Sequence, residues 1–194
     1  MGEKSCETFD PRVRRTRQLL QQALRKILEK KEFEAVSVQD IAEAATVNRA
    51  TFYDHYPDKF ALLECMVGAD FHELLAKREV QFDGRSCASG LRAIILAVCD
   101  YLARVCSQRY SQRHMEAAII AVVRRMLVDG LKEHFPNSAV PAEIVAAAAS
   151  GAIYGAAREW VQTPDRCSSE EIADTVAKLV SPILSQGEAA ITPV

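Results

Sequence analysis

The chain has 194 residues, enough for one or two domains with a substantial buried core and no need of a covalent staple. Its formal net charge of −2 and sequence pI of about 6.1 give no bulk attraction for nucleic acid, so any basic surface has to be local. Residues 1–10 carry Glu3, Lys4, Glu7 and Asp10 without an apolar core, which excludes a secretory leader and makes the cytoplasm the expected compartment. No run is long and apolar enough to span a bilayer, since the Ala-rich stretch from Ala142 to Ala157 is weakly hydrophobic and holds Glu143. Cys6, Cys65, Cys87, Cys99, Cys106 and Cys167 are dispersed, with no Cys-x-x-Cys and no histidine at ligand spacing. Neither a disulfide framework nor a metal or other cofactor is expected.

In chain order, Asp10-Pro11 has the form of a helix cap followed by a favoured first position, and Leu20, Ala23, Leu24, Ile27 and Leu28 continue as an apolar stripe to Lys31. Arg12, Arg14, Arg15, Arg17, Arg25, Lys26, Lys30 and Lys31 make this the basic part of the chain, opposed only by Glu29; a solvated helix face is the plain alternative to a binding surface. Phe33 and Val36 are the natural plugs of a small core. Ser37 with Asp40 three residues later forms a capping box, and Val38, Ile41, Ala42 and Ala45 make one short apolar stripe. Thr46-Val47 breaks that helix, and Asn48 can cap a second one bearing Arg49, Ala50, Thr51 and Tyr53 in its first turns. Two short helices joined by a tight turn read as a helix-turn-helix whose second helix meets base edges in the major groove of double-stranded DNA.

Beyond it, Pro57 blocks continuation and Asp58 caps a long helix through Leu62, Leu63, Met66, Phe71, Leu74 and Leu75 to about Val80, followed by a loop at Asp83-Gly84-Arg85-Ser86. Helical spacing returns from Ser89 to Val105 and from about His114 to Phe135, with Pro136-Asn137-Ser138 ending the latter. Pro141 opens an Ala-rich helix stopped by Pro164. Ser168-Ser169-Glu170-Glu171 is a second capping box, before a last helix that Pro182 should kink or end, with a disordered tail after Gln186. The fold class expected is all-α, about nine helices. Residues 1–57 form a three-helix helix-turn-helix DNA-binding module, and residues 58–194 a helical ligand-binding and dimerisation domain.

The string Val-x-Asp-Ile-Ala-x-Ala-Ala-x-Val-x-x-Ala-Thr-Phe-Tyr-x-His-Tyr-x-x-Lys, beginning at Val38, resembles the TetR family of bacterial transcriptional regulators, with the likeness running from about Arg14 to Leu63. Thr46 departs from it, standing where the family usually has Gly; a β-branched residue held left-handed there costs roughly 1–2 kcal/mol. The resemblance implies phosphate contacts from Thr51, Tyr53, His55 and Lys59, whose hydroxyls, imidazole and ammonium can all reach phosphate oxygens. Arg49 can fork onto a guanine and Ala50 can meet a thymine methyl, so these two with Gln39 and Asn48 carry sequence choice, while Ser37 at a helix start offers donors to another phosphate. Phe52 and Tyr56 belong to the core.

Gly151-Ala152-Ile153-Tyr154-Gly155 permits close helix approach, and the resemblance implies a homodimer paired through its last two long helices. Gly151, Tyr154, Gly155 and Arg158 are the interface candidates. Phe71, Tyr101, Tyr110, Met115, Met126 and Trp160 are bulky or adaptable side chains able to line a cavity for a small apolar or aromatic effector, with His114, Gln112 and Arg124 as polar anchors. No Gly-rich phosphate loop, nucleophile elbow or paired acidic motif is found, so no catalytic residue and no enzyme activity is expected. The expected protein is a ligand-responsive DNA-binding dimer, a repressor; the alternative is a helical adaptor that has lost DNA affinity.

Overall fold

The computed structural model describes residues 10–77, 87–105, 112–134 and 139–185. Helix α1 (Pro11–Leu28) begins where the sequence supplies both a cap and a proline: the Asp10 carboxylate accepts from the Arg12 amide at 2.8 Å and Pro11 takes the first position. It ends at Leu28 rather than Lys31. A 3-10 turn (Phe33–Ala35) leads to α2 (Val38–Ala44), α3 (Arg49–His55), α4 (Lys59–Lys77), α5 (Cys87–Val105), α6 (Gln112–His134), α7 (Ala142–Gln162) and α8 (Ser169–Ser185). The described residues thus hold eight α-helices and one 3-10 turn where about nine helices were expected, and no strand. The loop readings at residues 83–86 and 136–138 and the tail after Gln186 lie outside the described residues.

The chain packs as two units, residues 1–66 with 109–115 and residues 67–108 with 116–194. The division therefore falls within α4 and α6 instead of at Pro57. Its cause is plain in the first unit: Leu62, Leu63 and Met66 of α4 are buried with Leu20, Leu24, Leu28, Phe33, Val36, Ile41, Phe52 and Tyr56, so the opening turns of α4 complete the small core that the three short helices cannot close alone. In the second unit α5 packs on both α7 and α8, which also pack on each other. Ile95, Ala97, Val98 and Cys99 of α5, Ala146, Ala149 and Ile153 of α7, and Ala173 and Val176 of α8 are its buried centre. Small residues on α7 let the helices approach where bulky ones on α5 fill the space.

The α8 capping box forms as read, with the Ser168 amide donating to Glu171 Oε2 at 3.0 Å and the Glu171 amide to Ser168 Oγ at 3.2 Å. Pro182 does not end the helix, which runs on to Ser185. Pro182 and Lys178 are both solvent-exposed, so the carbonyl that loses its donor at the proline faces water, and Ser181 and Ser185 hydroxyls bond carbonyls four residues back.

The turn between α2 and α3 shows why Thr46 matters. Thr46 adopts φ 59°, the left-handed conformation a glycine would take freely. It closes a Schellman-type cap, the Thr46 amide donating to Glu43 O and the Val47 amide to Ala42 O, both at 3.0 Å. Two orphan carbonyls are satisfied at the expense of strain in a β-branched residue. Thr46→Gly is expected to raise the unfolding free energy by about 1 kcal/mol in urea titration, and an unchanged midpoint would mean the strain is relieved elsewhere.

Candidate nucleic-acid interface

The start of α2 is fixed by a closed local network. Ser37 donates its amide (2.7 Å) and hydroxyl (2.8 Å) to Asp40 Oδ2, while the Asp40 amide donates back to Ser37 Oγ at 3.1 Å. Lys31 Nζ reaches the same carboxylate at 2.9 Å. The Ser37 amide bond above all, then the Lys31 and Ser37 side chains, pull the Asp40 carboxyl down to about 2. Ser37 was expected to offer its donors to a phosphate; here both are directed at Asp40.

Helix α3 is capped by Asn48, whose Oδ1 accepts from the Thr51 amide at 2.7 Å and from the Thr51 hydroxyl at 3.0 Å. Phe52 is fully buried and Tyr56 nearly so, which anchors one face of α3. The opposite face carries Arg49, Ala50 and Tyr53, all exposed, Tyr53 at 45%. Arg49 is held rather than loose: its guanidinium donates to the Tyr53 hydroxyl at 3.2 Å and lies 5.5 Å from that ring's centroid. On α2, Gln39 donates its amide to Glu43 Oε1 at 2.6 Å, placing a carboxylate beside an expected base-reading side chain, an arrangement the sequence reading missed although i, i+4 spacing signals it. His55 is partly buried, and that burial, followed by the charge of Arg17, lowers its pKa and favours neutral imidazole.

Lys59 is the clearest departure. Its ammonium donates to the carbonyls of Phe33 (2.9 Å), Glu34 (3.2 Å) and Val36 (2.7 Å), and sits 4.7 Å from the Phe33 ring centroid. All three donors are satisfied within the module, at a residue from which the resemblance implies a phosphate contact. His114, expected as an anchor for an effector, belongs to this same unit: Nε2 is 3.2 Å from Glu34 Oε1, and the imidazole packs on Phe33 and Phe60 at 5.3 Å each. Met115 is buried in the same unit.

Of the remaining effector candidates, Phe71 and Tyr101 are buried in the second unit with ring centroids 5.2 Å apart, and Arg104 lies over Tyr101 while pairing with Asp70 at 3.3 Å. Trp160 is buried and donates Nε1–H to Cys167 O at 2.9 Å, which pins the α7–α8 connection. Met126 is half-buried, Arg124 is exposed, and Tyr110 and the Gln112 side chain lie outside the described residues. Among the interface candidates, Gly151 and Gly155 are exposed on α7 in line with Ile144 (61% exposed) and Ala148, and Leu179 of α8 is 68% exposed. Tyr154, one position round the helix, is turned into the protomer's core, and Arg158 pairs with Glu116 of α6 at 3.4 Å. Among the described residues no helix is long and apolar enough to cross a membrane, and no cluster of His, Cys, Asp and Glu could hold a metal ion.

A capped, left-handed turn joining two short helices, the second anchored on one face and free on the other, is a helix-turn-helix module within an all-helical chain. Residues 20–66 match the model of the bacterial regulatory proteins of the tetR family. YxbF of Bacillus subtilis (strain 168), an uncharacterised HTH-type transcriptional regulator, is 40% identical over 76 residues, 38% of this chain and 20% of that protein. The chain thus spans about a fifth of the length of the curated relative it matches. In fold, a TetR-family regulator from Streptomyces coelicolor A3 is similar over 92% of this chain and 99% of that chain, with a TM-score of 0.59 at 16% identity. Thermus thermophilus FadR, a TetR-family transcriptional repressor in complex with lauroyl-CoA, is similar over 92% and 96%, with a TM-score of 0.55 at 18% identity. Residues 20–66 thus carry the helix-turn-helix module of the tetR family of bacterial regulatory proteins, and the all-helical fold is similar to that of TetR-family regulators.

The Lys59 geometry separates a structural from a DNA-binding role. Lys59→Met is expected to lower stability by about 2 kcal/mol, because partly buried carbonyls lose a charged donor, while leaving the salt dependence of DNA binding unchanged. Chemical unfolding together with a salt titration of binding checks both halves.

Proposed function

We propose that this protein is a ligand-responsive repressor that binds a palindromic DNA operator as a homodimer and leaves it when a small apolar or aromatic effector binds. The observation that carries the reading is the state of α3: its inner face is pinned by Phe52 while Arg49, stacked on Tyr53, stands exposed and pre-oriented on the other. Ordering the guanidinium beforehand lowers the entropy lost on docking to a base edge. Arg49 and Ala50 then read bases with Gln39 and Asn48, and Thr51, Tyr53 and His55 hold phosphates. Selection of bound fragments from genomic DNA tests this. Arg49→Ala should still bind the selected sequence, more weakly, but with preference relaxed at a base position. An unchanged selected sequence would remove Arg49 from base reading, and no selected fragment at all would favour the adaptor alternative.

One recognition helix reads too few base pairs to bind alone, which is the physical case for a two-fold pair. The mating surface we assign is the exposed stripe Ile144, Ala148, Gly151, Ala152 and Gly155 of α7 with Leu179 of α8. A Cβ added at Gly151 or Gly155 would meet nothing within 4 Å in the protomer, so the fold itself does not require glycine there; another helix approaching closely does. Gly155→Leu should therefore leave helicity intact and shift light scattering from dimer to monomer. A variant that stays dimeric would place the interface elsewhere.

We place the effector site in the second unit, with the packed pair Phe71 and Tyr101 and, as further apolar candidates of the same unit, Met126 and Trp160. Thermus thermophilus FadR, of similar fold, carries an acyl-CoA. For release, the effector must favour the DNA-incompetent state, and a hundredfold loss of operator affinity corresponds to about 2.7 kcal/mol of coupling.

A further inference from the structure

From Pro11 to Leu28, helix α1 carries six basic residues, Arg12, Arg14, Arg15, Arg17, Arg25 and Lys26, and no acidic one. Four of the six fall in its first two turns. That end of a helix bears the positive pole of the backbone dipole, so cations there oppose both the helix and one another. Nearby carboxylates do not relieve the conflict: Asp10 caps the Arg12 amide, and among the described residues none pairs with the side chains of Arg12, Arg14 or Arg15. All three are exposed. A solvated face with no further role has no need of this unfavourable placement, since glutamates in the first turn would be better for the helix.

Arg17 shows where the cluster lies within its unit. Its guanidinium is 5.7 Å from the centroid of the Tyr56 ring, and its charge acts on His55, both at the C-terminal end of α3. At about 1.5 Å of rise per residue, Arg14 is roughly 4.5 Å further along the axis. The arginine-bearing turns therefore begin beside the C-terminal end of α3, in the same unit as its exposed face.

We propose that Arg12, Arg14 and Arg15 form a second binding surface for duplex DNA, holding backbone phosphates that flank those contacted from α3. This rests on the reading of the protein as a DNA-binding regulator. Phosphodiesters supply closely spaced negative charges that turn the mutual repulsion of the three guanidiniums into attraction, and each planar fork suits a phosphate's oxygens. The surface reads no sequence. An acidic lipid surface is disfavoured as the partner because the exposed residues beside the cluster offer a single large apolar side chain, Leu19, where a membrane-surface helix presents a whole apolar face.

The test is the salt dependence of binding by the full chain, measured on a selected operator and on an unrelated duplex. Replacing all three arginines (Arg12→Gln, Arg14→Gln, Arg15→Gln) should reduce the slope of log affinity against log salt by about 2.7 per protomer, about 0.9 for each phosphate contact. Both duplexes should weaken by the same factor, leaving their ratio intact, and the melting temperature should not fall. Each single replacement, measured on folded protein, should reduce the slope by about 0.9. An unchanged slope in the triple variant, with the wild type still binding, overturns this surface alone. A loss confined to the operator also overturns it, because it would make the arginines base readers. Wild-type sedimentation with phosphatidylserine vesicles, abolished in the triple variant whose DNA slope is unchanged, assigns the cluster to lipid instead. A wild type that binds no duplex overturns this proposal and the regulator reading together.

Discussion

A single ammonium group ties the 3-10 turn of the helix-turn-helix module to the start of α4. Lys59 Nζ caps three carbonyls of the 3-10 turn, and the next residues of the chain are Ser37 and the capping box that starts α2. The order of dependence runs from there. The box fixes where α2 begins, the length of α2 fixes where the left-handed Thr46 must fall, and that turn fixes the angle at which α3 leaves. The ammonium lies over the rings of Phe33 and Phe60, which pack on each other and on His114. The hydrogen bonds are charge-assisted and partly buried, so their geometry is stiffer than that of an exposed ion pair.

What could be read from the sequence was what is decided within one or two turns of chain. Ser37 and Asp40, Asn48, the Ser168 and Glu171 pair, and the apolar positions of α2 and α3 all act on neighbours in sequence, and all appear as read. Thr46 was legible too, as a departure whose energetic consequence is visible in its positive φ. What could not be read were the contacts between residues distant in sequence. Lys59 reaches back to carbonyls 23 to 26 residues earlier, and His114 lies against Glu34, so no spacing rule could tell an internal tie from a ligand-facing side chain. Tyr154 and Gly155 are adjacent in sequence but face opposite environments, a difference of about 100° on the helix that residue type alone did not settle.

The two units are stabilised by different means. The first has a small core and relies on caps, a clamp and a strained but hydrogen-bonded turn. The second is a layer of long helices around α5 with many fully buried apolar side chains, and two of its ion pairs, Arg92 with Asp174 and Lys132 with Glu143, are exposed, where such pairs contribute little. The first unit thus depends on a few directed polar contacts and the second on apolar burial.

The exposed glycines of α7 also bear on how firmly that helix is wound. Glycine inside a helix weakens it by about 1 kcal/mol relative to alanine, and nothing within the protomer compensates at Gly151 or Gly155. The middle of α7 is then the part of that helix most ready to open in a single chain, and on the pairing proposed above a second copy covering it would close it. Amide hydrogen exchange along this segment would slow as protein concentration rises, because association by mass action adds to local stability. Backbone order at the pairing surface would follow the abundance of the protein itself.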